Sequence, residues 1–159
     1  MLFRSSLLAG YYLNELLLRL VPGGDQNEHI LSCYSKCLDQ LATTRSAARA
    51  LRLFELELLE ALGYRVDLEH DFRTGKAIEP ESHYKFEHEN GLTACDKDSD
   101  MNTFSGRQLI SLRQHELDDP DSLGAAKRLL GRILEAHLGG RPLKTREVMR
   151  AIADRDLAR

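Results

Sequence analysis

Seven cations, Lys127, Arg128, Arg132, Arg141, Lys144, Arg146 and Arg150, are the side chains of this sequence best arranged for chemistry, and that chemistry is anion binding. Lysine and arginine donate charge-assisted hydrogen bonds to phosphate or carboxylate oxygens. From Ala125 to Arg159, nine Lys or Arg stand against four Asp or Glu, in a chain whose net charge is −3. Charge is therefore segregated, a pattern that also suits a plain solvated face. Contact with DNA would make affinity fall steeply with salt, whereas an acidic peptide would also need an apolar cleft beside the cations.

Other reactive residues are less well arranged. His29, Cys33 and Cys37 recur every four residues, so on a helix they share a face and could offer one nitrogen and two thiolates to a soft metal. A fourth ligand is not identified, and cysteines at such spacing also serve as small core residues. Cys95 shares a polar segment with His70, His83 and His88, but no CxxC pair occurs. There is no GxSxG elbow, no HExxH and no phosphate-binding loop. We expect no enzymatic activity, no metal and no cofactor.

The elements that carry these residues follow from periodicity. At 159 residues and 42% hydrophobic, the chain can bury one sizeable core without disulfide or metal. Helices are predicted over 7–20, 27–41, 46–62, 105–114, 122–138 and 145–154. Leu7 to Leu20 is apolar on nearly every side and so predicts a largely buried helix, yet it is too short and polar to span a membrane. Asp25 and Glu28 have capping-box spacing, Thr44 or Ser46 starts the third helix, and Gly63 stops it. In the fifth helix Leu123, Leu130, Ile133, Leu134 and Leu138 fall on one side, Arg128, Arg132 and Glu135 opposite, and Lys127 at the border. Gly139, Gly140 and Pro142 end it, with Thr145 the expected N-cap of the last helix. Three cysteines and no signal-peptide pattern point to free thiols in a cytoplasmic chain.

Helical period is lost from about residue 65 to 104. Asp67 to Asp100 holds ten acidic residues against four basic ones. Within it, His83 to Glu87 alternates like a strand, Asn90 and Gly91 supply a turn, and Leu92 to Cys95 predicts the returning strand. The fold class expected is mainly α, a helical bundle with a small β-hairpin or irregular insertion.

Four blocks, YLNELLLRL (Tyr12 to Leu20), ALRLFELELLEALGY (Ala50 to Tyr64), FSGRQLISL (Phe104 to Leu112) and AAKRLLGRILEAHLGGRPLKTREVMR (Ala125 to Arg150), together resemble the C-terminal part of the bacterial DNA repair family RecO. The resemblance covers residues 1–159 as one helical domain. It implies a recombination mediator that binds single- and double-stranded DNA, engages the acidic C-terminal tail of single-stranded-DNA-binding protein, and works with RecR to load RecA. Its location would then be cytoplasmic and nucleoid-associated. Complete members begin with an OB-type barrel. Here Met1 falls just ahead of the first helix, so that domain is expected to be absent and DNA binding weakened.

Many members also carry four cysteines in the insertion, where this chain has only Cys95, so the zinc site is expected to be missing. Matching basic positions give the expected contacts: Arg52 or Lys127 for the tail carboxylates, and Arg128, Arg132, Arg141, Lys144 and Arg146 for DNA. Two other readings stay open, a stand-alone interaction bundle with no nucleic-acid role and a metal or redox protein built on Cys33 and Cys37. Without a barrel, apolar surface at Leu2, Phe3, Leu7 or Leu8 would favour association.

Overall fold

The computed structural model describes residues 2–23, 27–43, 46–97 and 100–157. Six helices and three short strands follow in the order α1 (Leu2–Leu20), α2 (Glu28–Thr43), α3 (Ala47–Ala61), β1 (His83–Glu87), β2 (Gly91–Cys95), β3 (Thr103–Ser105), α4 (Gly106–Arg113), α5 (Pro120–His137) and α6 (Lys144–Leu157). The protein is mainly α with a small antiparallel sheet. Two compact units divide it, one of residues up to Leu58 with those from Glu135 onward, the other Leu59–Leu134. The divisions fall inside α3 and at the last turn of α5.

In the first unit α1 packs against α2 and α6. Ala9, Tyr12, Leu13 and Leu16 of α1 are buried with Ile30, Cys33, Cys37 and Leu41 of α2, the latter at the three- and four-residue steps of one helix face. Ala50, Leu51, Leu53, Phe54 and Leu58 of α3 are buried too. Each such leucine or phenylalanine contributes roughly 1.5–3 kcal/mol by leaving water. The expectation that α1 is largely buried is corrected. Leu7, Tyr11 and Leu18 lie on one exposed face, Leu18 at 85% exposure, while Ala9, Tyr12, Leu13 and Leu16 take the buried positions. Leu8 is half-buried, and the side chains of Leu2 and Phe3 lie outside those described.

Caps differ from expectation in informative ways. Asn27 caps α2, its Oδ1 accepting from the amides of His29 and Ile30 at 3.1 and 3.2 Å. The capping box read at Asp25, and Thr44 as a helix start, lie outside the described residues. The Ser46 carbonyl accepts from the Ala50 amide, which makes Ser46 the residue that opens α3. Gly63 ends α3 at φ +80°, a conformation that glycine adopts without steric penalty.

In the second unit the sheet order is β2-β1-β3, with His83 opposite Cys95 and Glu87 opposite Gly91 on one edge, and His83 opposite Ser105 on the other. The predicted hairpin is present, and β3 is an addition. β3 leads directly into α4 through a capping box, in which the Ser105 side chain accepts from the Gln108 amide and the Gln108 side chain accepts from the Ser105 amide. Gly106 is needed there: a Cβ would stand 1.8 Å from the Glu79 carbonyl oxygen. Phe104, Leu109, Leu112 and Leu117 are buried, as are Tyr84, Phe86 and Leu92 of the sheet.

Candidate nucleic-acid and partner interface

Helix α5 begins at Pro120, where proline's fixed φ suits the first turn, and Asp119 Oδ1 accepts from the Ser122 amide at 2.8 Å. Its buried positions Ala125, Ala126, Leu129, Leu130, Ile133 and Leu134 repeat as adjacent pairs every four residues. That stripe leaves Lys127 and Arg132 exposed and Arg128 half-buried. Arg128 departs from the expected solvated position. Its guanidinium lies over the Phe104 ring, 5.4 Å from the centroid, and its Nε is buried without a hydrogen-bond partner. A cation over an aromatic face contributes about 0.5–2 kcal/mol, so Arg128 combines a packed stem with a partly exposed charge. Lys127, Arg128 and Arg132 make no ion pair with a described residue.

The remaining cations lie in the other unit. Arg52 is buried: its Nη2 stands 2.8 Å from Glu55 Oε1, and Glu55 is fully enclosed. The Tyr12 hydroxyl donates to the same carboxylate oxygen, and Arg146 Nη2 donates to the Tyr12 hydroxyl at 3.2 Å with its guanidinium 5.7 Å from the ring centroid. Arg146 also reaches Glu135 at 3.3 Å. Burial, together with the Glu55 charge, pushes the Tyr12 phenol far above its usual pKa, so it stays a donor. Burial works against the Arg146 charge, but Tyr12, Glu55 and Glu135 outweigh it and hold the guanidinium above its ordinary value. Arg52 and Arg146, both read as contact residues, thus meet at one enclosed polar cluster. The Arg52–Glu55 spacing of three residues inside a leucine-rich helix was the sequence signal for it.

Arg141 and Lys144 are exposed. The turn that presents them is fixed by α1: Arg19 donates to the Arg141 and Pro142 carbonyls at 3.0 and 3.4 Å. Thr145 is not the N-cap expected for α6. Glu15 takes that place, accepting from the Lys144 amide, the Thr145 amide and the Thr145 hydroxyl at 2.8, 2.9 and 2.6 Å. Partial burial opposes the Glu15 charge, but these bonds and Arg19 outweigh it and lower its pKa. No local pattern announces a cap from a residue so distant in sequence.

The histidine and cysteines of α2 do share a face, with His29 Nε2 3.6 Å from Cys33 Sγ and Cys37 Sγ donating to the Ala50 carbonyl at 3.6 Å. Burial, reinforced by Glu57, pushes the Cys33 and Cys37 thiols up to about 11 and about 12, which opposes the deprotonation that metal ligation requires. Among the described residues no three His, Cys, Asp or Glu side chains are grouped to hold a metal ion. A four-thiolate zinc set does not fit the insertion either, where Cys95 is the one cysteine. Asp71 there accepts through Oδ1 from the Arg73 and Thr74 amides at 2.8 and 2.9 Å, and through Oδ2 from the Ala94 amide at 2.7 Å. Among the described residues no helix is long and apolar enough to cross a membrane.

Comparison with known proteins bears on the arrangement as a whole. A family described as "Recombination protein O C terminal" matches residues 4–147. The DNA repair protein RecO of Methylococcus capsulatus is 39% identical over 147 residues, covering 92% of this chain and 60% of that protein. Its counterpart in Azoarcus sp. is 34% identical over 153 residues, covering 94% and 63%, and that of Salmonella enteritidis 40% identical over 146, covering 91% and 60%. The chain thus spans about three-fifths of the length of these relatives. With the family match running from the first helix into the last, this chain belongs to the RecO family and corresponds to its C-terminal part.

Proposed function

We propose that this chain serves DNA repair and recombination as the helical part of a recombination mediator, binding anionic partners without catalysing a reaction. The observation that carries the reading is the α5 strip, where Lys127, Arg128 and Arg132 stand over a buried apolar face and none of them is in an ion pair with a described residue. Phosphates are the ligands assigned to Arg128 and Arg132, and to Arg141 and Lys144 on their own exposed turn. Lys127 is the residue assigned to the acidic C-terminal tail of single-stranded-DNA-binding protein. Arg52 and Arg146 are assigned to holding the fold, since both are engaged in the cluster around Tyr12. In this reading the module works in the cytoplasm at the nucleoid and assists RecR in loading RecA.

The test is fluorescence anisotropy with a labelled single-stranded oligonucleotide at several salt concentrations, comparing the unmodified chain with R132A/K144A, both exposed positions. Each phosphate contact to a single strand contributes about 0.7 to the slope of log affinity against log salt. The double variant, folded by circular dichroism, is expected to lose about 0.7–1.4 of that slope. A parallel titration with the tail peptide, with and without its terminal phenylalanine, examines Lys127. Unchanged affinity for both ligands in K127E/R128E overturns the reading.

A further inference from the structure

We propose that the loop from Asp71 to Lys76 is a stacking contact for single-stranded nucleic acid, with Phe72 as the platform and Arg73 and Lys76 as phosphate ligands. Phe72 is 62% exposed, although a phenylalanine in water forgoes the burial energy that its neighbours Leu68 and Ile78 obtain. The loop is not loosely held. Asp71 accepts from the Arg73, Thr74 and Ala94 amides, the Phe72 amide donates to the Leu92 carbonyl at 2.8 Å, and Gly75 closes the turn by donating to the Asp71 carbonyl at 2.8 Å. The ring is therefore presented from a backbone tied to β2, and a platform that need not be ordered on binding loses less entropy when a base stacks on it.

The charge beside the ring selects the ligand. From Asp67 to Asp100 there are four cations against ten acids, and two of the four, Arg73 and Lys76, follow Phe72 in its own loop. Lys85 is 3.5 Å from Asp100, whereas neither Arg73 nor Lys76 is in an ion pair with a described residue, and both are exposed. An exposed aromatic ring with two uncommitted cations in the same loop matches an unpaired base joined to its phosphates. A duplex keeps its bases stacked inside and offers no face to such a ring. An acidic peptide would match the cations alone. The inference rests on the nucleic-acid reading above but concerns residues outside the α5 strip.

The sequence contains no tryptophan, so Phe72→Trp creates a single fluorescent reporter at the site. Titration with unlabelled oligothymidylate is expected to quench its emission saturably, over the concentration range in which anisotropy reports binding. Phe72→Ala is expected to weaken single-strand affinity by about 5- to 100-fold and to leave duplex affinity unchanged, and R73A/K76A to lower the salt slope. Unchanged emission while anisotropy saturates overturns the stacking contact and leaves the nucleic-acid reading intact. No anisotropy change at any oligonucleotide concentration overturns both. Quenching by the acidic tail peptide and not by the oligonucleotide also overturns the proposal, and identifies the loop as a peptide contact.

Discussion

Arg52→Ala separates a structural arginine from a ligand-binding one. Arg52 is 7% exposed, and its Nη2 lies 2.8 Å from a carboxylate that is wholly enclosed. Removing the guanidinium leaves Glu55 with the Tyr12 hydroxyl as its remaining described partner, and its Oε2 has no hydrogen bond even with arginine present. Breaking a buried pair from one side costs about 3–5 kcal/mol, a large share of the roughly 5–15 kcal/mol that stabilises a domain. At about 2–4 °C per kcal/mol for a chain of this size, the melting temperature falls by about 6–20 °C. Replacing both partners with apolar residues removes the unpaired charge, so R52M/E55L is expected to cost less than R52A alone. Urea unfolding at pH 7, followed by circular dichroism, measures all three. The reasoning is refuted if R52A unfolds within about 0.5 kcal/mol of the unmodified chain, or if it stays equally stable while losing affinity for the tail peptide.

Two further outcomes follow from carboxylates that cap backbone amides. Glu15→Ala is expected to cost about 1–2 kcal/mol at neutral pH by uncapping α6. The Glu15 pKa is lowered on folding, so its contribution is present above the ordinary value of 4.5 and lost as pH falls through the lower folded value. Urea unfolding at pH 7 and pH 3 should therefore show a difference between the two chains that shrinks in acid, and an equal difference at both counts against the cap. For Asp71→Ala, native-state hydrogen exchange should speed up at the amides of Arg73, Thr74 and Ala94 while the core amides of α3 stay protected. Burial opposes the Asp71 charge, but the Thr74, Ala94 and Arg73 amides outweigh it and lower its pKa, so in the unmodified chain the same amides lose protection as pH falls below the ordinary 3.8. Unaltered exchange in the variant would mean that the loop is held by something else.

The helices were legible because leucine recurs at helical spacing and because glycine and proline punctuate the chain at Pro22, Gly63, Gly139 and Pro142. The hairpin was legible from alternation and the Asn90–Gly91 turn. β3 was not, since three residues are too few to show a period. The surroundings of two site residues were not legible, for one cause. Arg52 and Arg146 were read as contacts for the tail peptide and for DNA, and their shared cluster was hidden because Tyr12, which brings them to it, lies 43 residues from Glu55 and 134 from Arg146. Glu15 caps Thr145 from 130 residues away, and a local capping rule sees only the threonine. Lys127 and Arg132 were found exposed because their placement depends only on the period of their own helix. Phe72 carried no signal by itself, as exposure belongs to the folded loop.

The Asp71 brace sets which insults the insertion tolerates. A zinc-ribbon loop depends on four thiolates, and both chelators and peroxide dismantle such a site. Here the loop is tied by a carboxylate to three backbone amides, groups that neither oxidise nor exchange metal. The Asp71 brace itself therefore holds no thiol to oxidise, and its characteristic vulnerability is acid.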